Sequence, residues 1–152
     1  MEIPRIDHRI IAALKKAFIP FARFALFIVY GWFGILKVVG LSPAGTLVHQ
    51  LFDKTIHFMP FATFYLLFGL FEVLIGVLFL FPKLIRIAIP LLFLHMITTV
   101  LPLFTLPAVT WQSFLVPTME GQYIIKNFVI LAVAIGIAAH THPMPEHFKK
   151  KA

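Results

Sequence analysis

Residues 61–81 read FATFYLLFGLFEVLIGVLFLF, an apolar run broken by a single charge, Glu72. A helix rises about 1.5 Å per residue, so a run of this length crosses the roughly 30 Å hydrocarbon core of a bilayer. Backbone amides in hydrocarbon have no water to bond, so the run must be helical. Three more runs share its character: 18–39, 84–104 and 122–139. Membrane β-barrels instead need segments of about ten alternating residues, and none is present. The expected fold class is all-α: one domain, 1–152, built as an integral membrane bundle of four transmembrane helices.

Composition supports this reading. The chain is 61% hydrophobic and 12% charged, against about 45–50% and about 25% for an ordinary soluble domain. That much apolar surface calls for lipid as part of the solvent, so the first partner is the bilayer. Cysteine is absent, which removes disulfide frameworks and thiolate metal sites. The net charge of +7 bears on membrane topology before nucleic acid, and no nucleic-acid partner is expected. Ten bases fall on one side of the spans: Arg5, Arg9, Lys15, Lys16, Arg23, Lys83, Arg86 and Lys149 to Lys151. Three fall on the other: Lys37, Lys54 and Lys126. The positive-inside rule then puts both termini in the cytoplasm of a multi-pass inner-membrane protein. Span one is too long for the core of a cleavable signal. Residues 1–17 read as a basic interfacial segment and 143–152 as a basic tail.

The loop between spans one and two is patterned. Ser42-Pro43 suits a helix start, with Ser as cap. Ala44, Leu47, Val48, Leu51, Phe52 and Ile56 are apolar, and the residues between them are polar. This spacing predicts an amphipathic helix on the outer surface, a lid in position, ended by Pro60. The stretch 105–117, with Trp111, is expected at the interface or dipping into the bundle.

Polar groups inside the spans need a reason, since a carboxylate at mid-bilayer costs about 2.5–3.5 kcal/mol on insertion scales. Gly69, Glu72 and Gly76 share one helix face, and small residues permit close helix approach, so Glu72 should face the bundle. Lys37 is its expected partner, the two converging from depths about 12 Å apart. Gly31 and Gly34 precede Lys37 on span one. Span three contributes His95, Thr98 and Thr99, and span four Lys126 and Asn127 after a Thr118 cap. A shared outward-opening polar pocket would unite Lys37, Glu72, His95, Thr98, Thr99, Lys126 and Asn127 as ligand-binding candidates. Blander readings stand beside it. Lysines near a span's end can snorkel, a buried histidine can simply bond a neighbour, threonines can bond their own helix, and a buried ion pair can serve as a packing register. His140 and His142 form a His-x-His too weak to assign a metal, and no catalytic set is readable.

Three motifs in order, Gly31-Trp-Phe-Gly34-Ile-Leu-Lys37, Gly69-Leu-Phe-Glu72-Val-Leu-Ile-Gly76 and Gly121-Gln-Tyr-Ile-Ile-Lys126-Asn127, resemble the signatures of the DoxX-like superfamily over about residues 22–139. The resemblance implies a compact four-helix membrane bundle with recurrent residues at Gly34, Lys37, Gly69, Glu72, Gly76, Lys126 and Asn127. Relatives are associated with quinone-linked sulfur oxidation, redox-stress complexes, and membrane-protein assembly or cargo export. The leading expectation is an inner-membrane subunit in a quinone-linked or oxidant-stress redox process. A quinone or similar amphiphile would be the ligand, with electrons from a membrane oxidoreductase partner or a bound cofactor. The alternatives are a non-enzymatic assembly subunit and a small-solute transporter, for which a homo-oligomer would supply further spans. Whether the protein is an enzyme stays open.

Overall fold

The computed structural model describes residues 3–141; His142, His147 and the basic tail 143–152 lie outside them. The chain runs α1 (Ile3–Val38), α2 (Gly45–Thr55), α3 (Phe61–Leu80), a 3₁₀ turn (Pro82–Leu84), α4 (Ile85–Val100), α5 (Pro102–Thr105) and α6 (Pro107–Thr110). A two-stranded hairpin follows, β1 (Trp111–Ser113) against β2 (Val116–Pro117), and then α7 (Met119–Ala139). Among the described residues, four helical stretches are long and apolar enough to cross a membrane: Ile6–Val38, Phe61–Leu80, Pro82–Thr105 and Met119–Ala139.

Local chemistry sets most of these boundaries. Gly40 adopts φ +74°, with Gly40 N–H bonded to the Lys37 carbonyl and Leu41 N–H to that of Leu36. This pairing around a left-handed glycine closes α1. Thr118 caps α7, its side chain accepting from Gly121 N–H at 3.2 Å, as the sequence predicts. Pro82 follows an extended Phe81 and stops α3, since a proline ring disfavours a helical residue before it.

Other boundaries differ from expectation. Residues 3–17 are continuous with span one: a single helix begins at Ile3 and continues through Pro20. Ser42 does not cap α2. Its Oγ accepts from Ala44 N–H at 3.3 Å within a turn, and the helix starts three residues later without a side-chain cap. Pro60 does not end α2, which stops at Thr55; instead Pro60 precedes the first residue of α3, where a missing N–H costs no helix bond. The stretch 105–117 is ordered as the end of α5, the short α6 and the hairpin, with Leu106 and Thr110 buried.

α1 and α3 are the most closely packed pair, and glycine is the cause. A Cβ at Gly34 would lie 2.7 Å from the Gly69 carbonyl and from Val73 N; one at Gly76 would lie 2.8 Å from Gly31 N. The two backbones therefore touch. Gly31 itself has room for a methyl group; it is its main chain that Gly76 approaches. Below this contact lies the apolar core, with Leu26, Ile75, Phe79, Ala88, Leu92 and Ala134 contributed by four helices. Arg23 of α1 reaches the end of α3, where its Nε–H donates to the Phe79 carbonyl at 2.8 Å and Nη2 donates to that of Leu80. These are carbonyls that a helix terminus leaves unpaired.

Candidate functional site

The glycine contacts fix the stagger of α1 against α3. A Cβ on Gly69 would sit 2.9 Å from Lys37 Cβ, so Lys37 lies opposite Gly69, three residues from Glu72. That is about 4.5 Å at 1.5 Å per residue, not the 12 Å obtained by counting from span ends. The count fails because α3 projects past the end of α1 on this side, a stagger that only the packed pair reveals.

Three ionisable side chains meet here. Lys37 Nζ donates to Glu72 Oε2 at 2.6 Å. His95 Nε2, from α4, lies 2.8 Å from Glu72 Oε1. All three residues are buried, at 7%, 5% and 5% exposure for Lys37, Glu72 and His95. Each carboxylate oxygen thus has a donor, the condition under which charge survives in a low-dielectric interior. A neutral imidazole donating Nε2–H to Glu72 leaves Nδ1 as an acceptor. Nδ1 has the Tyr30 hydroxyl at 3.4 Å and Thr99 Oγ1 at 3.3 Å. Thr99 has one proton and is 3.0 Å from the His95 carbonyl, so Tyr30 is the better placed donor. Tyr30, His95, Glu72 and Lys37 form an unbroken hydrogen-bonded line across three helices. The two imidazole nitrogens give it the means to hand a proton along.

Aromatic rings enclose the line. Phe68 stacks on His95, with centroids 5.1 Å apart and planes at 17°, and the Lys37 ammonium lies 5.8 Å from its centre. Tyr30 meets His95 edge-on at 5.2 Å.

The remaining candidates do not converge. Thr98 is exposed and donates to the His95 carbonyl at 2.7 Å, a bond within its own helix. Lys126 is exposed, over the Tyr123 ring at 5.1 Å, and Asn127 is half-buried. The buried stripe of α7 is Gly121, Ile124, Ala134 and Ile137; at 100° per residue Lys126 falls on the other side of the helix from Ile124. A pocket shared with span four is therefore not formed. At the opposite end, His140 donates Nδ1–H to the Gly136 carbonyl at 2.7 Å and packs near Phe18.

Tyr30 and Phe68 are members that the sequence reading passed over. A signal was present: Arg23, Tyr30 and Lys37 recur at seven-residue steps, two turns apart on one face, and Phe68 precedes Glu72 by one turn. No protein family, curated protein or solved structure matches this chain. The function must be argued from the site itself.

Proposed function

We propose that this chain is a DoxX-like, multi-pass subunit of a bacterial inner membrane. It serves a quinone-linked or oxidant-stress redox process through its buried Lys37–Glu72–His95 centre. The observation that carries the reading is Glu72, a carboxylate held between an ammonium and an imidazole inside apolar helices. Intramembrane charges of this kind mark proton relays and ligand sites. The donor set suits a quinone carbonyl through Lys37, whose ammonium carries N–H groups beyond the one given to Glu72. A bound quinone would supply a two-electron, two-proton couple, with the electrons drawn from a membrane oxidoreductase partner. Glu72 and His95 would hold and move the protons, and the surrounding rings would exclude water. The bases at the Arg23 end face the cytoplasm, and α2 lies on the outer membrane surface as a lid.

The test is gentle purification followed by extraction of bound lipids. Wild type should carry quinone and Glu72→Gln markedly less. Absence of quinone from both removes the proposal.

One observation favours a second reading. Lys37 and His95 are already satisfied by Glu72, and a closed triad can serve as a packing register in a non-enzymatic assembly subunit. In that case Glu72→Gln lowers recovery of partner membrane proteins in pull-downs and leaves quinone content unchanged.

A further inference from the structure

A column of rings leads from the triad to the outer end of the molecule. Phe68, stacked on His95, stacks in turn on Phe64 with centroids 5.6 Å apart and planes at 14°. Phe64 meets Phe52 of α2 at 5.1 Å, and Phe52 meets Phe61 at 5.4 Å. Phe61 carries the exposed imidazole of His49 at 4.0 Å and 16°. The triad is thus connected to the surface through a run of ring contacts, stacked at each end and tilted or edge-on at Phe52. α2 forms the outer wall of this column through Phe52, its one buried residue, and Lys54 tethers it to the Thr105 carbonyl at 2.9 Å.

Beside the column is a polar atom with no use in the fold. The Tyr65 hydroxyl is buried and has no hydrogen-bond partner among the described residues. Its ring stacks on Phe61 at 5.2 Å, and its oxygen points at the start of α2, where a Cβ on Gly45 would lie 3.4 Å away. Buried hydroxyls are nearly always bonded, so an orphan next to flat ring faces asks for an explanation. It is a donor without an acceptor, in surroundings that suit a planar guest.

We propose that the packed seam between α2 and α3 opens as the docking site for a planar, carbonyl-bearing ring. Its carbonyl accepts from Tyr65, its face replaces a ring contact of the column, and α2 moves to admit it from the outer side. This deepens the quinone reading and rests on it: it names the entrance and a recognition residue distant from the charges. It predicts that ligand recognition depends on Tyr65, whose hydroxyl makes no hydrogen bond among the described residues.

The experiment uses the full chain in detergent and duroquinone, a tail-less quinone, as probe. Binding is followed by quenching of tryptophan fluorescence and by thermal shift. Wild type should bind saturably. Tyr65→Phe should bind about five- to tenfold more weakly, the effect of one hydrogen bond. Its melting temperature without probe should be unchanged or higher, because the deleted hydroxyl bonds nothing. Equal binding by wild type and Tyr65→Phe, with weakening only in Glu72→Gln, overturns the α2–α3 site while leaving a quinone at the triad. No binding by wild type overturns both.

Discussion

Replacing Lys37 by methionine tests whether the triad is held by charge. At 2.6 Å and an effective dielectric of about 20, the Lys37–Glu72 attraction is about 6 kcal/mol. Withdrawing each ion from water costs several kcal/mol, so the intact pair adds little net stability. Removing one member is different, because Glu72 keeps its desolvation penalty and loses its counter-charge. Such deletions cost about 3–5 kcal/mol. The surviving His95 bond at 2.8 Å points to the lower end, about 3 kcal/mol or a hundredfold in the folding constant. Glu72→Gln added to Lys37→Met removes the stranded charge and keeps an oxygen for His95. The double variant should therefore recover most of the loss, to within about 1 kcal/mol of wild type. Reversible unfolding in mixed micelles titrated with dodecyl sulfate would measure all four corners of the cycle. A single-variant loss below about 1 kcal/mol, or a double-variant loss equal to the sum of the singles, would refute the reasoning.

The glycines give a paired control. Gly34→Ala puts a methyl against two backbone atoms at 2.7 Å and should cost about 1–3 kcal/mol or more, whereas Gly31→Ala, with nothing nearer than 3.6 Å, should be nearly silent in the same titration. Gly121→Ala would place its Cβ 2.1 Å from the Thr110 carbonyl; limited proteolysis should then cut the 111–117 hairpin faster than in wild type. Leu115 sits at φ +59°, a conformation costing an L-residue about 1–2 kcal/mol, so Leu115→Gly should hold or raise the melting temperature despite removing a side chain. Because the chain has no cysteine, Asp53→Cys and Lys83→Cys report topology directly: an impermeant maleimide applied to intact cells should label the first and spare the second, and the reverse pattern would invert the assigned orientation.

The sequence alone determined the four long apolar helices, each of a length and hydropathy that would cross a bilayer. Hydrophobic run length fixes spans almost without competition, because backbone amides in lipid have no alternative to helix. The inward turn of Glu72 was legible for a similar reason, through its place between Gly69 and Gly76. The capping of α7 by Thr118 was readable from local chemistry. The stagger of α1 on α3 was not, since it depends on which glycine meets which backbone, and periodicity along one helix does not encode registration against another. That stagger decided that Lys37 reaches Glu72 within one turn. It also made a closed line with His95 and Tyr30, while the rotation of α7 turned Lys126 away. The hairpin was hidden because its turn, Ser113 to Val116, holds none of the glycine or asparagine that usually announces one. Its shape comes from contacts with Leu103, Thr110 and Gly121, near in sequence but made through carbonyl oxygens and a glycine's missing side chain, which no local motif announces.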